Sequence, residues 1–91
     1  MVAASNAAGR TVTLKNIAFS PKSVSISKRS TVTFAFRDGS TKHNVISKGT
    51  KRFTSISTRS SGSVKRTFSR AGTYRYVCTL HPGMSGRITV R

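Results

Sequence analysis

A chain of 91 residues with 35% hydrophobic content suffices for one domain with a modest core, a size at which a bound metal adds appreciably to stability. Seventeen Lys and Arg face a single acid, Asp38, for a formal charge of +16, so the surface attracts polyanions, anionic headgroups or an acidic protein, and salt or sulfate is expected to raise the melting temperature. The lone cysteine excludes an intramolecular disulfide, no apolar run approaches the roughly 20 residues of a membrane helix, and the N-terminal residues lack a signal-peptide pattern; we expect a chain that begins after cleavage and works outside the cytoplasm.

Residues 1–10, rich in Ala, Ser, Asn and Gly without periodicity, predict a flexible leader, and residues 11–91 the folded domain. Val12, Leu14, Ile17 and Phe19 mark a first strand with a bend near Asn16, and Ser20-Pro21 punctuates it. Val24 and Ile26 alternate in a second strand, Lys28-Arg29-Ser30 turns, and Val32, Phe34 and Phe36 line one face of a third. Arg37 to Ser40 reads as a turn, with Asp38 bonding the backbone two residues on and Gly39 at positive φ. That reading gives Asp38 no chemical role.

His43 stands at the edge of the short apolar strand that follows, where a neutral imidazole ligates through one nitrogen while a backbone carbonyl or water orients the other. Residues 47–63 predict a long surface connection anchored by Phe53 and Ile56 and carrying one short strand or helical turn; its cations Lys48, Lys51, Arg52 and Arg59 read as a solvated face. Val64, Arg66 and Phe68 lead to a turn at Ala71-Gly72. Tyr74, Tyr76 and Cys78 then lie at period two on an inward face with Arg75 outward, and Gly86 admits a last strand with Ile88 and Val90 opposite Arg87 and Arg91. Seven to eight short strands with no sustained helical period predict an all-β protein, an antiparallel β-sandwich.

Cys78, His81 and Met84 recur at every third position across Pro82-Gly83, which gathers a thiolate, an imidazole and a thioether. Singly each has an ordinary structural explanation: a small buried hydrophobe, a surface histidine, a core plug. Together they lack one ligand, and the only other histidine is His43. Soft sulfur donors select copper, and a His₂Cys site with a weak axial Met describes a blue-copper electron-transfer centre. Zinc is the weaker alternative, since structural zinc sites rarely recruit Met.

At these residues the chain resembles the cupredoxins, most closely plastocyanin-like and amicyanin-like members. The resemblance runs through Phe19-Ser20-Pro21, Val24-x-Ile26, Thr31-Val32-x-Phe34, His43-Asn44-Val45, Ala71-Gly72-Thr73-Tyr74-x-Tyr76-x-Cys78 and Met84-x-Gly86-x-Ile88-x-Val90. It implies a Greek-key sandwich, one type 1 copper held by His43, Cys78, His81 and Met84, and one-electron shuttling in the periplasm between redox proteins. It also implies that Asn44 donates its N–H to the Cys78 sulfur and ties its side chain to the Thr79 segment. Many relatives with short ligand loops carry proline where this chain has Leu80, whose N–H adds a second donor to that sulfur and is expected to raise the reduction potential. His81, beside Pro82 and Gly83, is the expected electron port.

With one carboxylate the chain cannot dock through an acidic patch, so its redox partner is expected to be acidic. We expect a monomer, no membrane span and no specific nucleic acid. A basic β-domain that binds polyanions or anionic surfaces is the rival reading; it wants exposed aromatics, whereas Tyr74 and Tyr76 share the Cys78 face. Copper storage or delivery is a third. An enzyme is least supported, since no further histidine or acid cluster accompanies the metal ligands.

Overall fold

Alternation at period two means that only every second residue can face a core, and the chain satisfies this by packing two sheets face to face. The computed structural model describes residues 9–91, in which nine strands form and no helix does, so none is long and apolar enough to cross a membrane. One sheet contains β1 (Arg10–Leu14), β2 (Phe19–Ser20), β4 (Ser30–Phe36) and β7 (Gly62–Phe68), in the order β2-β1-β4-β7. The other contains β3 (Ser23–Ile26), β5 (His43–Lys48), β6 (Ile56–Arg59), β8 (Gly72–Val77) and β9 (Ser85–Val90), in the order β3-β9-β8-β5-β6. The leader expected over residues 1–10 lies, through residue 8, outside the described residues.

The all-β sandwich is as expected, but its sheets are mixed. β1 pairs parallel to β4 and β3 parallel to β9, while the other pairings are antiparallel. After β2 the chain passes the cis peptide Ser20–Pro21 into the opposite sheet and returns as β4, which therefore meets β1 running the same way. Alternation reports which face a residue takes; it carries no information on strand direction.

The first strand also ends earlier than its apolar pattern suggests. Lys15 and Ala18 exchange both backbone hydrogen bonds at 3.1 Å, and Asn16 and Ile17 between them have φ of 54° and 55°, the two-residue hairpin geometry in which both central residues are left-handed. Asn tolerates that region; a β-branched residue rarely enters it. Ile17 is consequently 52% exposed instead of facing the core.

Val12, Leu14, Val32, Phe34 and Phe36 from one sheet meet Val24, Ile26, Val45, Tyr74, Tyr76, Ile88 and Val90 from the other, all buried. Tyr76 sits at the centre, edge-on to Phe19 at 4.8 Å and to Phe34 at 5.4 Å between ring centroids. It pairs across strands with Gly86, where an added Cβ would stand 2.5 Å from the tyrosine ring, so the glycine is required by space. The Tyr76 hydroxyl is buried with no hydrogen-bond partner among the described residues, and burial pushes its pKa up. The 47–63 connection carries β6, as expected, and inserts Phe53 against Phe68 at 5.3 Å. Ser47 pins it there, donating its N–H to Ser55 Oγ (2.9 Å) and accepting the Phe53 N–H (3.1 Å). The sandwich thus holds β5 and β8 side by side, and the candidate site forms where β5 begins and β8 ends.

Candidate metal centre

Cys78 follows β8 directly and ends its inward-facing series, so its side chain is 3% exposed. Beyond it the chain must turn back to begin β9. It does so with Gly83 at φ 86°, with the Met84 N–H donating to the His81 carbonyl (3.2 Å) and the Cys78 N–H to the Met84 carbonyl (2.9 Å). These bonds close the loop on itself and bring the Met84 backbone back beside Cys78, with Met84 5% exposed. His43 opens β5 and is fully buried. The next residue locks the two strands: Asn44 Nδ2 donates to Thr79 Oγ1 at 2.8 Å, and the Thr79 N–H returns a bond to Asn44 Oδ1 at 2.9 Å. The side-chain tie expected between Asn44 and the Thr79 segment is therefore present.

The structure brings His43, Cys78 and His81 together. Ligand atoms of the three lie within 4.8 Å of one another, Cys78 Sγ is 3.7 Å from His43 Nδ1, and the two imidazole centroids are 4.8 Å apart. Both rings are oriented from behind. Asp38 Oδ2 stands 2.8 Å from His43 Nε2, and the Lys42 carbonyl 3.1 Å from His81 Nε2. A carboxylate and a carbonyl can only accept, so in each neutral ring Nε2 carries the proton and donates, and Nδ1 keeps its lone pair. Two bare imidazole nitrogens, a buried thiol and a buried thioether make up a soft donor set whose chemistry fits copper.

Asp38 is the residue that the sequence reading missed. It does stand in a turn, with the Thr41 N–H donating to its carbonyl at 3.0 Å and Gly39 at φ 61°. Its carboxylate, however, orients His43 where a backbone carbonyl or water was expected, and it also accepts the N–H groups of Asn16 (3.1 Å) and Ile17 (3.0 Å). One side chain thus holds the strained hairpin and the buried histidine together. The hydrogen bond from His43, followed by that from the Ile17 N–H, holds the carboxyl below its ordinary pKa against an opposing effect of desolvation. The available signal was its singularity as the only acid among seventeen cations.

Around this pocket the surface is uneven. His81 is half-buried, Pro82 and Gly83 are exposed, and Leu80 is 46% exposed on the same loop. Ile17 shares a shallow depression with Gly83 and Met84. The two large apolar residues exposed among the described residues, Ile17 and Leu80, therefore belong to the segments that surround the site.

A two-sheet sandwich with a thiol, two imidazoles and a thioether at one end defines a class of small metal-binding β-domains. The cupredoxin-like domain family matches residues 2–90, and the chain belongs to that family. Among solved structures, the oxidised P94A mutant of amicyanin is similar at 26% identity with a TM-score of 0.80, over 91% of this chain and 82% of that one. A purple cupredoxin from Nitrosopumilus maritimus is 22% identical with a TM-score of 0.79, over 90% of this chain and 99% of the other, a likeness of fold. The copper-containing nitrite reductase of Thermus scotoductus SA-01 is 25% identical with a TM-score of 0.80; the chain spans 22% of that protein, so the same fold also occurs within an enzyme. None of the curated proteins compared is a significant match.

Proposed function

We propose that this protein is a type 1 blue-copper electron carrier. His43, Cys78, His81 and Met84 would hold one copper ion, which when bound supplies a Cu(II)/Cu(I) one-electron couple. The observation that carries this reading is the arrangement of the two histidines: each has Nε2 committed to an acceptor, with Asp38 and Lys42 as the partners, and so retains Nδ1 for a ligand beside the Cys78 sulfur. Rings held this way do not need to reorient when the site changes charge, and little reorganisation is what fast electron exchange requires.

Asn44 and Thr79 hold the thiol-bearing strand end against the histidine-bearing strand. Among the described residues the sulfur's partner is His43 Nδ1; in this reading the N–H groups of Asn44 and Leu80 would temper its charge once copper is bound. His81 with Pro82 and Gly83 forms the electron port, and the exposed Leu80 and Ile17 give a partner an apolar surface to approach. In this reading the folded domain runs through residue 91 and takes in Arg10, the first residue of β1, which the leader expected over residues 1–10 had left out. The protein is a monomer, works outside the cytoplasm, catalyses no reaction of its own and exchanges electrons with a redox protein that presents an acidic surface to its +16 charge. Voltammetry of the copper-reconstituted protein tests this. A reversible one-electron wave with rapid self-exchange is the expected result; slow or irreversible electron transfer, with copper readily removed by a weak chelator, would favour storage or delivery.

A further inference from the structure

Cations are distributed along this sequence without obvious order, and only strand register shows which of them are neighbours. Strands β3, β9, β8 and β5 contain three in all: Arg87, Arg75 and Lys48. Register sets Arg87 opposite Arg75 and Arg75 opposite Lys48, so all three fall in a single row across the outer face of the sheet, ending at Ser23. The rows on either side contain no charge, being Ser85 with Val77 and Ile46, and Ser25 with Thr89 and Thr73. The Arg87 N–H donates to the Lys22 carbonyl at 2.9 Å, which seats a fourth cation beside the row.

Like charges directly opposite one another destabilise a sheet, and this row has no counter-ion within the described chain. Four other guanidinium groups are occupied by backbone carbonyls, Arg10 by Ser25, Arg52 by Gly49, Arg59 by Ser61, and Arg66 by Thr54 and Ser55, while those of Arg29, Arg37, Arg70 and Arg91 are scattered singly. Lys22, Lys48, Arg75 and Arg87 are exposed and their side chains have no such partner among the described residues, and the one acid, Asp38, is bound to His43. The four line a groove of about 320 Å³ whose floor is the paired backbone of Tyr76 and Gly86. Arginine forks match planar oxyanions two oxygens at a time, and side chains on adjacent strands stand about 4.8 Å apart, within reach of consecutive acidic side chains.

We propose that this row is a docking surface for a carboxylate-rich segment of a partner protein, a site separate from the metal-binding loop. Charge complementarity selects an anion, and the absence of a stacking platform selects protein over nucleic acid. Every aromatic residue among the described residues is buried or half-buried in the core, which leaves none on this face to receive a base.

The test uses metal-free protein, so that its outcome is independent of the copper reading. Hexaglutamate is titrated into ¹⁵N-labelled protein at low salt, with hexathymidylate as the phosphate probe. The expected result is a set of saturable shifts centred on residues 22, 48, 75 and 87, and a loss of hexaglutamate affinity of about tenfold in Arg75→Glu against less than about twofold in Lys65→Glu, which alters net charge equally on the exposed face of the other sheet. Arg87→Gln gives a smaller loss in the same direction without adding a new charge. Equal losses in Arg75→Glu and Lys65→Glu would overturn the proposal in favour of a diffuse field. Tighter binding of hexathymidylate at the same residues would overturn the assignment of an acidic protein.

Discussion

The metal-binding end and the outer face of the five-stranded sheet treat polar groups in opposite ways. At the end, His43 and His81 each have an acceptor behind them, Asn44 and Thr79 exchange two bonds, and the only carboxylate accepts three. On the face, Lys48, Arg75 and Arg87 adjoin with nothing between them. For His43 and Asn44, which are buried, the difference follows from burial. A buried donor without a partner loses its hydration outright, so burial favours matched groups, the Tyr76 hydroxyl being the exception among the described residues, whereas an exposed cation keeps its water and tolerates a like neighbour. The pairing at the metal end orients the two rings, whereas a row that is mildly unfavourable and not compelled by burial points outward, to something that binds.

Breaking the matched region should have the largest effect. Asp38→Ala leaves His43 Nε2–H buried without an acceptor and releases the ring, and copper affinity should fall about 10–100-fold by competition with a chromophoric chelator. The same residue governs part of the acid limit of the metal-free protein. Its carboxyl pKa is depressed in the fold, so the stability it contributes is present above the unfolded value of about 3.9 and is lost as pH falls through the folded value. Asp38→Asn should therefore show a shallower loss of melting temperature below about pH 4 than the wild type, and an identical acid slope in the two proteins would remove that assignment.

Next in size is Gly86→Ala, which drives a methyl into the Tyr76 ring and should cost about 1–3 kcal/mol in denaturant unfolding. On the unmatched face the sign reverses. Arg75→Glu sets a carboxylate between Arg87 and Lys48 and should raise the melting temperature by about 1–5 °C at low salt, an increment that shrinks as salt is added. Smallest is Tyr76→Phe, which deletes the one buried hydroxyl that lacks a partner among the described residues; unfolding free energy should stay level or rise by no more than about 1 kcal/mol.

What could be read from the sequence was what lies close along it or has no competitor. Cys78, His81 and Met84 declare themselves by spacing within one loop, and His43 followed because no other histidine exists. The inward series Tyr74, Tyr76 and Cys78 and the outward Arg75 came from period-two alternation, which survives folding unchanged. Asp38 did not declare itself, because its role depends on a turn folding back against a histidine and a hairpin, and turn propensity alone accounts for an Asp-Gly pair. Ile17 misled because apolar character suggested core, while the geometry of a two-residue hairpin put it in solvent. The cationic row was invisible for a third reason. Lys48, Arg75 and Arg87 are far apart in the chain, and register, which alternation does not encode across strands, makes them neighbours.

The central claim is that Cys78 sulfur, flanked by two imidazoles held through their outer nitrogens, is the site of a blue-copper centre. The most direct measurement is the visible absorption of the protein after addition of one equivalent of Cu(II), recorded beside the Cys78→Ser variant. An intense sulfur-to-copper charge-transfer band that bleaches with ascorbate in the wild type and is absent from the variant is the predicted result; a colourless wild type, or a variant that keeps the band, would contradict it.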